Sequence, residues 1–297
     1  MSDDNLPNSL KIKNFFISNF NSFKFSIFEP MMLIFYRYKY KDKYLKSNTE
    51  PLVSVCIPTY NRDSILINRS IKSALSQTYK NIEVVIVGDN CTDKTEEFVL
   101  KINNPKIRFY NLPERKRNYY QIVENHWLVG GAIPANKAML MAKGEWIARI
   151  DDDDIWADDH IEKLLSFAIK NNFEFVSSMY EEVRFGKKKI VDGDQVNSKY
   201  FVKDYKKPPK GPKIGGVQTW IFRSYLGRLQ YNVDCWRKDW NKVWDVDLAF
   251  RIFKAGTRIG FLDIVSGYVY PRPGEKTIGL DAYKIDEEKK LDHYKFK

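Results

Sequence analysis

Cysteine is scarce in this chain of 297 residues: Cys56, Cys91 and Cys235 are the only three, an odd number set far apart. That excludes a disulfide framework and every closely spaced zinc pattern, and it fits a reducing compartment. Long apolar runs are also missing. The most apolar window, Phe25 to Tyr38, contains Glu29, Pro30 and Arg37 and is too short and too interrupted to span a bilayer. The first residues lack the pattern of a cleavable signal peptide. The expected location is therefore cytoplasmic, peripheral at the inner face of a membrane. No internal repeat, low-complexity tract or nucleic-acid-binding module is visible, and no nucleic-acid partner is expected. Acidic residues are outnumbered, 38 against 49 basic, for a net charge of +11. Such a balance suits a phosphate-bearing or polyanionic partner, or an anionic membrane surface, without choosing among them.

What is present is a folded, globular composition, with 43% hydrophobic and 29% charged residues. One stretch organises the rest. Trp146-Ile147-Ala148-Arg149-Ile150 reads as a buried strand and stops in Asp151, Asp152, Asp153 and Asp154. Four like charges at a strand end repel each other and resist desolvation. A hard divalent cation, Mn²⁺ or Mg²⁺, would relieve that repulsion, and such ions use one or two carboxylates together with substrate phosphates. The alternative is a solvated acidic turn that caps the next helix.

Taken in order, residues 1–50 form a basic, aromatic, amphipathic extension. Lys11, Lys13, Lys24, Arg37, Lys39, Lys41 and Lys43 interleave with Phe, Ile, Leu, Met and Tyr. A segment of this kind can lie in a membrane interface, or its apolar face can pack on the main domain or on another subunit. Leu52 to Pro58 is a β-rich run, and a helix capped by Asp63 or Ser64 runs to about Thr78. Ile82 to Val87 is apolar on both faces, the mark of a parallel strand covered on both sides. It ends at Asp89, and Thr92 or Asp93 caps the next helix. Ile107 to Tyr110, Trp146 to Ile150 and Phe173 to Ser178 read as strands. Pro134 to Lys143 and Asp158 to Asn171 read as helices. Alternation at this spacing predicts a doubly wound α/β domain with a mostly parallel sheet. Beyond Glu181 the pattern loosens: Lys187 to Lys189 and Lys206 to Pro212 read as loop, Gly216 to Phe222 and Val265 to Tyr270 as strands, and Trp244 to Ala255 as a helix. From Asp281 the chain reads as a charged C-terminal helix. The expected divisions are 1–50, 51–180, 181–280 and 281–297.

The polar strand ends, in this order, resemble the family 2 glycosyltransferases, inverting enzymes of the GT-A fold that use nucleotide-sugars. The resemblance covers about residues 51–270. Val53 to Arg62 is similar to that family's first strand and loop. Ser73-Ala74-Leu75-Ser76-Gln77-Thr78-Tyr79 is similar to the end of its first helix. Asp89-Asn90-Cys91-Thr92-Asp93 stands at its Asp-Gly-Ser-Thr-Asp loop, and Ile150 to Trp156 stands at its metal-binding Asp-x-Asp strand end. The resemblance implies a nucleotide pocket of Pro58, Thr59, Tyr60, Arg62, Asp89, Asp151 and Asp152. It implies Mn²⁺ or Mg²⁺ on Asp153 and Asp151, with the register among the four aspartates open. Gln218, Trp220 and Asp154 would meet the donor or acceptor sugar, although Trp220 fits a core position equally. Asp245 would be the general base, with Asp247 as the alternative. A carboxylate that accepts a base N–H favours uracil or thymine, so the implied donor is a UDP-sugar. The implied acceptor is a hydroxyl of a glycan or lipid-linked saccharide in surface-polysaccharide synthesis. Two departures stand out. Trp244 replaces the usual acid before Asp245, and Gly130 to Ala135 lacks the family's arginine, whose role either falls to Lys137 or is missing. They support a second expectation, a nucleotide- or glycan-binding protein that has lost turnover.

Overall fold

The computed structural model describes residues 8–45, 50–116, 119, 123–193, 212–237 and 243–284. The loop expected over Lys206 to Pro212, apart from Pro212 itself, and most of the charged C-terminal segment lie outside the described residues.

Among the described residues nine strands form one sheet: β1 (Val53–Thr59), β2 (Ile82–Gly88), β3 (Ile107–Asn111), β4 (Trp146–Arg149), β5 (Asp154–Trp156), β6 (Phe175–Arg184), β7 (Lys187–Val191), β8 (Ile221–Arg223) and β9 (Ile259–Val269). Their order is β3-β2-β1-β4-β8-β6-β9-β5, with β7 paired to β6. The helices are α1 (Asn8–Phe23), α2 (Glu29–Leu45), α3 (Asp63–Leu66), α4 (Lys72–Leu75), α5 (Thr95–Lys101), α6 (Val123–Val129), α7 (Ala132–Met141), α8 (His160–Lys170), α9 (Trp244–Lys254) and α10 (Gly279–Lys284). A π turn, Lys24–Phe28, joins α1 to α2, and a second, Ile67–Ile71, joins α3 to α4.

The alternation of the central strands divides the core in two. Val53, Val55, Ile57, Val84, Ile86, Trp146 and Ala148 point to one face, and Cys56, Val85, Val87 and Ile147 to the other. Helices cover both faces, which is why the middles of β1 and β2, Val55 to Ile57 and Val84 to Val87, are apolar on each side. The strands β3, β2, β1 and β4 run parallel, and Thr59 lies opposite Gly88. Their carboxyl ends therefore open on one rim, where an open α/β sheet places its ligands. Asn61 and Asn90, each just past one of these ends, take left-handed φ angles of 48° and 59°. Asparagine tolerates that conformation, so the chain can turn off the sheet there.

Three expectations in the second half are corrected. Lys187 to Lys189 is not a loop but part of β7, which forms a hairpin with β6. Phe185 and Gly186, both at positive φ, make the two-residue turn between Arg184 and Lys187. The lysines then blunt an exposed edge. Gly216 to Phe222 is not one strand: Val217–Thr219 is a 3₁₀ turn closed by Thr219 Oγ1 donating to the Gly216 carbonyl, and β8 follows. The strands expected to end at Ser178 and to begin at Val265 are each longer and pair in parallel as β6 and β9.

The N-terminal extension packs on the domain by one face. Leu33 is fully buried, the Arg251 guanidinium pairs with Glu29, and Arg37 pairs with Glu174.

Candidate active site

The acidic turn is held by its backbone before its side chains come into play. Arg69 and Ser70, on the π turn after α3, donate to the carbonyls of Asp153 and Asp151 at 2.9 and 2.8 Å. Arg69 also bonds the carbonyls of Tyr270 and Pro271, which ties the turn to the end of β9. With the backbone fixed, the four carboxylates separate. Asp151 Oδ1 accepts from Arg149 at 2.7 Å, and Asp152 accepts from Thr59 Oγ1 and from Arg62, both at 2.8 Å. Asp153 accepts from the same Arg62 nitrogen at 2.8 Å, and Asp154 is buried beneath them.

The charge states follow. Burial and the neighbouring Asp153 push Asp152 up to about 6, in spite of Arg62. At Asp153, burial is outweighed by Arg62, Arg272 and Arg69, which hold the carboxyl below its ordinary range. Burial and the charges of its three neighbours raise Asp154 well above it. Asp152 and Asp154 are thus raised by burial and by the carboxylates beside them even with four guanidiniums, Arg62, Arg69, Arg149 and Arg272, around the turn. A set of oxygen donors that still repel one another fits a hard divalent cation. Among the described residues no three His, Cys, Asp or Glu side chains converge as a ready-made cage. Asp153 and Asp151 are the residues that could hold the cation, once Asp153 gives up Arg62.

The second part of the site lies at the ends of β1 and β2. Asp89 is buried, and its Oδ2 accepts from Arg115 Nε at 2.6 Å. The same guanidinium lies 3.3 Å from the centroid of the Tyr60 ring. A flat, N–H-bearing group therefore occupies the space between an aromatic face and a carboxylate, where a pyrimidine would fit. A cleft beside it is lined by Asp89, Lys116, Gly130, Ile133 and Val233. Pro58 is buried within β1, opposite Val87. Lys137, the expected substitute for the missing arginine, holds its ammonium over the Tyr110 ring at 4.8 Å.

The third part is the start of α9. Asp245 is partly exposed, its Oδ1 accepts from the Val246 amide at 2.8 Å, and burial followed by the charge of Asp151 raises it to about 6. Asp247 points elsewhere: it is buried and accepts from Arg251 Nε at 2.8 Å, on the side that meets the N-terminal helix. Between the acidic turn and α9 stands Arg149, fully buried. It bonds Asp151, the Cys56 and Ile150 carbonyls and the Tyr231 hydroxyl, and its guanidinium lies 5.5 Å from the Trp244 ring. The two sequence departures belong to one packing arrangement. Trp244 is buried edge-on against Tyr231, and a Cβ at Gly131 would come within 3.1 Å of its ring.

The three expected sugar contacts are buried in this arrangement. Trp220 has no exposed surface; its Nε1 donates to the Gly215 carbonyl at 2.7 Å and its ring packs edge-on against Phe175. Gln218 is buried against Gly216 and Gly267, and Asp154 is 4% exposed. Arg62 is turned onto the aspartates. Arg115 and Arg149 are what the sequence reading missed. The first sits in a charged loop without periodicity, and the second hides in an apolar run. A charge in a strand otherwise covered on both sides was the available signal for Arg149.

The model of the family described as glycosyl transferase family 2 matches residues 54–229. The chain belongs to that family. The UDP-Glc:alpha-D-GlcNAc-diphosphoundecaprenol beta-1,3-glucosyltransferase WfgD of Escherichia coli is 29% identical over 183 residues, 61% of this chain and 64% of that protein. The putative teichuronic acid biosynthesis glycosyltransferase TuaG of Bacillus subtilis is 34% identical over 62% of this chain and 67% of its own length. The matched stretch thus spans less than two-thirds of the first relative. Among solved structures, S. aureus TarS 1-349 in complex with UDP-GlcNAc superposes with a TM-score of 0.55 at 20% identity, covering 75% of this chain and 60% of that one. The mannosyltransferase PcManGT of Pyrobaculum calidifontis, in complex with GDP-Man and Mn²⁺, gives 0.52 at 19% identity, covering 85% and 68%. The fold is GT-A, as expected.

Proposed function

We propose that this family member transfers a sugar, with inversion, from a UDP-sugar to a hydroxyl of a lipid-linked saccharide in surface-polysaccharide synthesis. The observation that carries the proposal is the convergence on one rim of a base-sized slot (Tyr60, Asp89), a clamped acidic turn and a carboxylate raised to about 6 at a helix start. Support for the lipid-linked acceptor comes from the relative whose named substrate is a diphosphoundecaprenol saccharide.

Each group has a task. Tyr60 stacks on the uracil and Asp89 accepts its imide N–H, after Arg115 moves off the ring. Thr59 and Arg62 fix Asp152, which faces the ribose. Asp153 and Asp151 would hold Mn²⁺ or Mg²⁺, which would supply positive charge for the leaving diphosphate. Asp245 takes the proton from the attacking acceptor hydroxyl as the bond to the anomeric carbon forms. Arg149 holds Asp151 on one side and helps keep Asp245 ionised on the other.

The test is transfer or hydrolysis of UDP-sugars with Mn²⁺ or Mg²⁺, for the native chain and for Asp153→Ala and Asp245→Asn. Both variants are expected to lose turnover; full activity in both would overturn the assignment. The second reading, a binding protein without turnover, is favoured by Arg115 filling the base slot. Calorimetric UDP binding with no activity on any donor would select it.

A further inference from the structure

The N-terminal helix has two opposite faces, and only one meets the rest of the chain. Inward lie Leu33, Glu29 against Arg251, and Tyr40 stacked on Tyr225 at 6.2 Å. Outward lie Phe16, Phe20 and Phe23, then Phe28, Met31 and Phe35, each 49–66% exposed. Within each trio the steps are the three or four residues that keep an α-helical face. The step between the trios, from Phe23 to Phe28, is five. In a plain α-helix that extra residue would rotate the second trio by about 100°. The π turn at Lys24–Phe28 has the wider i→i+5 period and absorbs it. The apolar stripe therefore runs unbroken along both helices.

Charge says what covers it. Lys11, Lys13, Lys24 and Lys39 are exposed along this helix. No acid occurs from Asn5 to Phe28, and the first one, Glu29, is turned inward to Arg251. An apolar stripe accompanied by lysines, with no outward carboxylate among the described side chains from Asn8 to Tyr40, matches an interface of acyl chains beneath anionic headgroups. It does not match a second copy of itself, which would bring lysine against lysine.

We propose that this face seats the chain on an anionic lipid bilayer, with the helix lying in the plane of the surface. The proposal rests on the lipid-linked acceptor reading and deepens it. Glu29 docks on Arg251 of α9, and the first turn of the same helix carries Asp245. One rigid element thus joins the lipid-facing surface to the candidate base and sets the base at a fixed height above the bilayer.

The test is flotation of the full chain with vesicles of phosphatidylcholine alone or mixed with phosphatidylglycerol, alongside calorimetry with UDP and light scattering for mass. The chain should float with the anionic vesicles only. Phe16→Ser/Phe20→Ser/Phe35→Ser and, separately, Lys13→Glu/Lys24→Glu should each weaken binding at least about tenfold, with UDP affinity unchanged. Equal binding to neutral vesicles overturns the proposal. So does binding that survives both variants, or a dimer that the phenylalanine variant abolishes. UDP binding without flotation removes the docking face and leaves the transfer reading standing. Flotation without UDP binding does the reverse.

Discussion

Asp245 is the most exposed point of the proposed mechanism, and its environment gives a number to test. Burial, reinforced by Asp151, raises its carboxyl to about 6. A general base works only when ionised. With a pKa of about 6, roughly 97% of the groups are ionised at pH 7.5 and roughly 9% at pH 5. The chemical step should therefore slow about tenfold between those values, with unit slope on the acid side. Asp245→Asn keeps the shape but cannot accept the proton, so the step should fall by about 10²–10⁴-fold and the acid limb near pH 6 should vanish. Donor affinity should be unchanged, because Asp245 lies outside the slot formed by Tyr60 and Asp89. Asp247→Asn is the control. It loosens the pair with Arg251, so thermal stability falls while the acid limb stays. The assay is single-turnover transfer at saturating donor from pH 5 to 8, which separates chemistry from product release. An undiminished rate in Asp245→Asn, or an acid limb that persists in it, would refute the assignment.

Other outcomes follow from the same contacts. Arg115→Ala removes the group that competes for the Tyr60 face and Asp89, so uridine binding measured by calorimetry should tighten about tenfold; weaker binding would mean that Arg115 holds the base instead. Glu29→Ala removes one of two buried carboxylates from Arg251, leaving Asp247, and should cost about 1.5–3 kcal/mol in denaturant unfolding. Trp220→Ala should cost ~3–5 kcal/mol, with no selective change in acceptor KM, because the ring is core. Burial holds the His160 imidazole down to about 3, so the folded chain keeps it neutral where the unfolded chain, near 6.5, takes up a proton. Stability should therefore fall as pH drops below about 6.5, and His160→Gln should flatten that slope between pH 6.5 and 5.

The legible parts of the chain are those where local pattern and tertiary role agree. The middles of β1 and β2 are apolar on both faces because helices cover both, and the polar ends of β1, β2 and β4 fall on one rim because these strands run parallel. The illegible parts are those where tertiary contact decides. Phe185 takes a left-handed turn that its residue type does not announce, so the β6–β7 hairpin was hidden among lysines. β8 is three residues long and depends on neighbours from distant sequence. Four consecutive aspartates have no internal period, so only Arg69 and Ser70, clamping the backbone, reveal which oxygen meets which partner. Gly131 and Trp244, far apart in sequence, read as two losses, yet in space they fit each other.

The sheet order carries a practical consequence for anyone dividing the protein. β8 lies between β4 and β6, both earlier in the chain, and the expected boundary at residue 180 cuts β6 in mid-strand. A fragment ending there would leave β4 and β6 with bare hydrogen-bonding edges facing a slot one strand wide. Such a piece would sooner recruit a neighbour's strand than stay monomeric, so donor and acceptor specificity must be exchanged between relatives by grafting loops, not by swapping halves.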